Sequence, residues 1–193
     1  MIGLKERQLA EIVVLVALAL LLDFLAGIYS DWIWLQGGTI SQALIPLAVL
    51  SYRHGWKIGL LGATLMGSIK ILTANHLFYP IQVLLDYPIA FGVLGLVGLW
   101  SKNLHGTNPK NPTFIIMIST LVASFFQFIA HTISGWLFFG QWAPEGVHPL
   151  WNSIVYNAGY LFLSWLVSVT VLVLLYYSSK KIFQFQSYEE DML

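Results

Sequence analysis

Six apolar stretches separated by short polar breaks run along the chain, at residues 9–29, 40–52, 58–74, 81–100, 112–139 and 150–177. A helix needs about 20 apolar residues to cross the hydrocarbon of a bilayer, and the first, fourth, fifth and sixth stretches reach that length outright. The second and third are short and flank Arg53-His54-Gly55-Trp56-Lys57, a polar turn built around a glycine. They read as a hairpin of tilted or incomplete spans, of the kind that lines a cavity. The pattern therefore predicts an all-α membrane protein of six transmembrane helices, forming a single integral membrane domain over residues 1–193.

Composition agrees. The chain is 58% hydrophobic and 9% charged with a mean hydropathy of +0.74, more apolar surface than a water-facing globule of this size can bury. Lys5 and Arg7 ahead of the run from Ile12 to Leu22 have the layout of a secretion signal. Further apolar stretches follow, and the segment reads as a retained first helix. The cysteine count is zero, which excludes disulfides, thiolate nucleophiles and sulfur-ligated metals. Net charge is zero and the basic residues are scattered, so there is no electrostatic footprint for nucleic acid.

The position of those basic residues sets an orientation. Lys5, Arg7, Arg53, Lys57, Lys102, Lys110, Lys180 and Lys181 all fall on the face shared by the N-terminus, the turn near residue 55, the loop near residue 106 and the C-terminus. Lysine and arginine beside spans are retained in the cytoplasm. Both termini are expected there, in a multi-pass protein of the cell membrane. Only Lys70, inside the third stretch, stands apart.

Chemistry concentrates toward the opposite face, where Trp32, Trp34, Gln36, His76, Tyr79, Trp136, Trp142, Trp151, Asn152, Tyr156 and Asn157 gather. Taken singly, each ring reads as an interfacial anchor. Asp86 near the start of the fourth stretch does not, because an unpaired carboxylate in a span costs about 2.5 kcal/mol or more. It either faces a cavity or forms an ion pair with Lys70. His131, mid-span, is either hydrogen-bonded structure or a ligand-handling group. Asp23 and Glu11 read as facing neighbouring helices near an interface, outside any site. A carboxylate, a histidine, aromatic faces and amides on one side suit a flat organic cation. No G-x-S-x-G, H-E-x-x-H or phosphate-cradling Gly-Lys motif occurs, and no His and carboxylate cluster has metal spacing, so neither catalytic nor metal-ligating residues are assigned.

Four motifs in order carry a family likeness: Gln82 through Asp86-Tyr87-Pro88 to Phe91, His131-Thr-Ile-Ser-Gly135, Trp142-Ala-Pro-Glu-Gly146, and Trp151-Asn152-Ser-Ile-Val-Tyr156-Asn157. Together with Gln36-Gly37-Gly38-Thr39-Ile40-Ser41, they resemble the ThiT family, the thiamine-specific substrate-binding subunits, or S-components, of energy-coupling-factor (ECF) transporters. The resemblance implies a six-helix S-component bundle that takes up thiamine from outside and cannot transport alone. Its partners would be a transmembrane coupling subunit and two ATPase subunits, and it would need no cofactor. Carried over motif by motif, the ligand-binding residues are Trp34, Asp86, Tyr87, His131, Phe139, Trp142, Trp151, Asn152 and Asn157. Asp86 would meet the ligand's ring system, and Asn157 would bond the pyrimidine. The docking contact would fall at Val13 and Ala17. Some relatives have glutamate where this chain has Asp86, and a phenol near Asn152. Two other readings stay open: an S-component for another vitamin, and a self-sufficient proton-coupled transporter of a small organic cation using Asp86 and His131 as its relay. An intramembrane enzyme is disfavoured by the missing motifs.

Overall fold

A computed structural model describes residues 6–33, 38–74, 77–105 and 109–184. The described residues form six helical segments and no strand. These are α1 (Glu6–Ile33), α2 (Leu44–His54), α3 (Trp56–Lys70, continued by a 3-10 turn at Ile71–Thr73), α4 (Pro80–Leu104), α5 (Pro112–Phe138) and α6 (Pro149–Ser178). Short 3-10 turns sit at Gly140–Trp142 and Lys180–Phe183. Helices α1, α4, α5 and α6 are long and apolar enough to cross a membrane.

The shortness of α2 and α3 takes a definite form. At 11 residues, α2 spans about 16 Å, roughly half the hydrocarbon. The chain before it, residues 38–43, is not helical, which replaces the expected helix start at residue 40. Such backbone is tolerated at membrane depth only where it is buried or lines a cavity. Here Ile40 N–H donates to Ser30 Oγ at 2.9 Å and Ser41 Oγ donates to Asp23 at 2.6 Å, fastening this segment to α1. Between α2 and α3 the chain reverses at Gly55, whose φ of 81° suits a residue without a Cβ. Its N–H caps α2 by donating to Ser51 O at 2.8 Å.

Helix α4 is a composite. It widens to a π turn at Leu85–Ile89 and tightens to 3-10 geometry at Val93–Trp100. Pro88 lies inside the wide turn. A proline ring clashes with the carbonyl four residues back and supplies no N–H, and a wider turn accommodates both defects. Gly92, just before the tight segment, and Gly95 and Gly98 within it recur every third residue, the 3-10 period, and all face α3. A Cβ at Gly95 would come within 2.2 Å of Leu60 N, and one at Gly98 within 2.4 Å of Trp56 N. The backbones of α3 and α4 thus meet directly, as small residues allow between membrane helices.

The core lies toward one end of the bundle, where Ile12, Val16, Leu47, Leu50, Tyr52, Ile58, Leu104, Ile116, Leu172, Tyr176 and Phe183 pack together. A rim of polar contacts closes this end. Arg53 reaches Glu11 through Nε at 2.8 Å and Nη2 at 2.9 Å, and its Nη1 donates to the carbonyls of Lys181 and Ile182. His105 Nε2 meets Tyr52 O at 2.8 Å. The start of α1, the turn at Gly55, the end of α4 and the segment after α6 therefore share an end, the arrangement an even number of crossings requires.

Candidate ligand-binding site

At the other end the bundle is hollow. A cavity of about 650 Å³ opens among α1, the segment before α2, and α3 to α6, within the range of small-molecule sites. From α4 it receives Gln82, Asp86, Tyr87, Phe91 and Leu94. Gln82 and Asp86 are one turn apart, and the π turn brings Tyr87 onto the same wall. The α6 wall is Asn152, Ser153, Tyr156, Asn157 and Tyr160, and α5 adds Gln127 and His131.

Asp86 is held by three donors. Gln82 Nε2 and Ser134 Oγ each donate to Oδ2 at 2.8 Å, and His131 Nδ1 lies 3.1 Å from Oδ1. An ionised carboxylate only accepts, so His131 Nδ1 carries a proton in this contact. The His131 ring also meets Tyr160 edge to face, with centroids 6.3 Å apart. Among the described residues no lysine or arginine pairs with Asp86.

The expected alternative, an ion pair between Asp86 and Lys70, is not what forms. Lys70 pairs with Asp23. The expectation that Asp23 lies outside the site also fails, since Asp23 and Lys70 both line the cavity. The two are 47 residues apart in sequence, and only the packing of α1 against α3 brings them together. Glu11, by contrast, does face a neighbouring helix, through Arg53 and His54.

The other predicted residues divide. Tyr87, Phe139, Trp142, Asn152 and Asn157 line the cavity. Asn157 also braces the wall: its Nδ2 donates to Ser153 O at 2.8 Å and its Oδ1 accepts from Tyr160 at 2.8 Å. Phe139 and Trp142 form an aromatic trio with Phe78, all ring centroids 5.5 to 5.8 Å apart. Trp151 is not on the wall and is 62% exposed. The cavity face of α6 runs through residues 152, 153, 156, 157 and 160, and at 100° per residue position 151 falls on the opposite side. Trp34 lies outside the described residues, as do Gln36, Gly37 and His76. On the outer surface of α1, Val13 and Ala17 are both exposed.

Gln82, which opens the motif around Asp86, is fully buried and doubly engaged. Its Nε2 holds Asp86 and its Oε1 accepts from Phe78 N–H at 3.1 Å. The signal available in the sequence was its place one helical turn before Asp86. No cluster of His, Cys, Asp or Glu among the described residues could hold a metal ion.

Comparison with known proteins places this geometry. Residues 9–184 match the family model described as Thiamine transporter protein. The thiamine transporter ThiT of Bacillus subtilis is 34% identical over 182 residues, covering 91% of this chain and 93% of the relative. That of Lacticaseibacillus paracasei is 26% identical over 140 residues, covering 68% and 70%. A solved structure of ThiT from Listeria monocytogenes superposes with a TM-score of 0.77 at 25% identity, covering 93% of this chain and all of that one.

Proposed function

The chain belongs to the thiamine transporter protein family, and from that premise we propose that its hollow end is a thiamine site and the protein the binding subunit of a multi-pass membrane uptake system. One observation carries the reading: a cavity of ligand size whose carboxylate, Asp86, is held by neutral donors and an imidazole instead of a cation. Thiamine brings a permanent positive charge in its thiazolium ring, an aminopyrimidine and a hydroxyethyl tail. Asp86 supplies the counter-charge or a partner for the aminopyrimidine, His131 lies beside it, and Tyr87, Phe139 and Trp142 offer ring faces. Asn152 and the second lone pair of Asn157 Oδ1 are placed to read heteroatoms. Trp34, just before the Gln36–Ser41 stretch, completes the proposed contact set, and Trp151, exposed on the far side of α6, stands outside it.

The whole chain works as one membrane unit, with both termini cytoplasmic. Its partners in this reading are an ECF transmembrane coupling subunit, docking against the exposed face of α1 at Val13 and Ala17, and two ATPase subunits that supply the energy. Support for the orientation comes from the basic residues gathered at the closed end. Because the chain has no cysteine, Lys57→Cys and Lys180→Cys each introduce a single thiol. Both should resist a membrane-impermeant reagent in intact cells, and labelling from outside would reverse the topology.

The deciding experiment is reconstitution. The purified protein should bind thiamine by fluorescence titration and hold it through mild detergent, read by mass spectrometry of the extract. In proteoliposomes it should not accumulate thiamine, with or without a proton gradient. Concentrative uptake by this chain alone would replace the S-component reading with a secondary transporter using the Asp86–His131 contact. Absence of thiamine binding would remove the thiamine assignment.

A further inference from the structure

The cavity holds a second charged pair that the thiamine reading leaves unused. Asp23 of α1 and Lys70 at the end of α3 are ion-paired in its wall, with side chains 8% and 18% exposed. Ser41 Oγ donates to the other oxygen of Asp23 at 2.6 Å. Lys70 Nζ also lies 5.0 Å from the centroid of the Phe91 ring, a cation–π distance. Asp23 thus engages the one ammonium among the described cavity residues, and Asp86 is left without a lysine or arginine partner.

That charge balance discriminates between ligands of one shape and different charge. A monocation is attracted. Its phosphate ester carries an added charge of about −1.5 to −2 at neutral pH, so the same ring system arrives neutral or negative and meets Asp86 in a cavity whose ammonium is already engaged. The group that would hold a phosphate, Lys70, is engaged by Asp23. We propose that Asp23 is a specificity-determining residue: by neutralising Lys70 it makes the cavity select free thiamine over phosphorylated thiamine. The inference rests on the thiamine reading of the same cavity.

The test is the ratio of two dissociation constants, for thiamine monophosphate and for thiamine, measured on the full chain in detergent. Asp23→Asn keeps the shape, frees the ammonium and should lower that ratio by at least about tenfold. Lys70→Gln leaves two unpaired carboxylates and should raise it. The double variant restores the net charge without the ion pair and should return the ratio to within about threefold of the parent. A merely structural pair would weaken both ligands together, so an unchanged ratio in either folded single variant overturns the proposal. A parent that fails to bind thiamine at all instead overturns the functional reading beneath it.

Discussion

At the closed end of the bundle Glu11 faces the Arg53 guanidinium at 2.8 and 2.9 Å, with His54 Nε2 2.9 Å away. At the hollow end Asp86 faces an amide, a hydroxyl and an imidazole. Both carboxylates are partly buried in a membrane protein, and both have their hydrogen bonds made. The difference is charge. Around Glu11 the Arg53 guanidinium cancels it and the apolar core fills the space, so the contact is a staple between α1, the last turn of α2 and the segment after α6. Around Asp86 an amide, a hydroxyl and an imidazole satisfy the oxygens with no lysine or arginine beside them, and a cavity adjoins it. A satisfied but uncompensated carboxylate beside a void is suited to receive a cation from outside the chain. Asp23 sits between the two cases, inside the cavity and yet cancelled by Lys70.

The sharpest way to break this contrast is to remove the uncompensated charge. Asp86→Asn keeps the shape and loses one side of a desolvated pair, which should cost roughly 2 to 5 kcal/mol of thiamine binding. That is a fall of about thirtyfold or more in affinity, with little change in the thermal unfolding midpoint. Fluorescence titration alongside a melting curve separates the two quantities. Full affinity in a folded Asp86→Asn protein would move the counter-charge elsewhere in the cavity.

The converse substitution lies at the other end. Arg53→Met leaves Glu11 without its bidentate partner and orphans the carbonyls of Lys181 and Ile182. The side chain of Arg53 is 13% exposed, and the expected loss is about 1 to 3 kcal/mol of stability. The melting midpoint should fall while thiamine affinity in the folded fraction stays within about threefold of the parent. A large loss of affinity at unchanged stability would show that the two ends act as one device.

A finer probe separates the charge from its support. Gln82→Leu removes both the donor to Asp86 and the acceptor for Phe78 N–H. Leaving such buried groups unpaired costs about 1 to 3 kcal/mol, so thiamine affinity should fall about tenfold. Gln82→Glu, which keeps the acceptor for Phe78 and sets a second carboxylate against Asp86, should lose at least as much by isothermal titration. Parental affinity in both would mean that Asp86 needs no bracing from α4.

How far the sequence could go is visible in these same residues. The long spans were legible because lipid demands unbroken apolar length. Asp86 and His131 were legible because a polar group in a span must face something other than lipid. What stayed hidden was pairing and phase. Nothing local distinguishes Asp23 from Asp86 as the partner of Lys70, since that depends on which helices touch. The Gly92, Gly95 and Gly98 series was present but carries meaning only once α4 tightens to three residues per turn where it meets α3. Pro88 was the one local sign that α4 departs from regular geometry, and the wide turn around it lets both Asp86 and Tyr87 reach the wall.

The smallest expected effect tests phase alone. Trp142 and Trp151 belong to neighbouring motifs and look equivalent in the sequence, but Trp142 packs with Phe78 and Phe139 on the cavity wall while Trp151 is 62% exposed on the far side of α6. An aromatic face against a cation contributes about 0.5 to 2 kcal/mol, so Trp142→Ala should weaken thiamine binding several-fold up to about thirtyfold. Trp151→Ala should change affinity by less than about twofold, since a ring on the outer face makes no contact with a ligand held by Asp86. Quenching of intrinsic fluorescence by thiamine should likewise persist in Trp151→Ala and diminish in Trp142→Ala. Equal losses of affinity in the two variants would mean that the start of α6 rotates on binding, carrying Trp151 through roughly half a helical turn onto the wall. The hollow end would then be a surface that closes around its ligand, and the contrast with the closed end would be one of motion as well as charge.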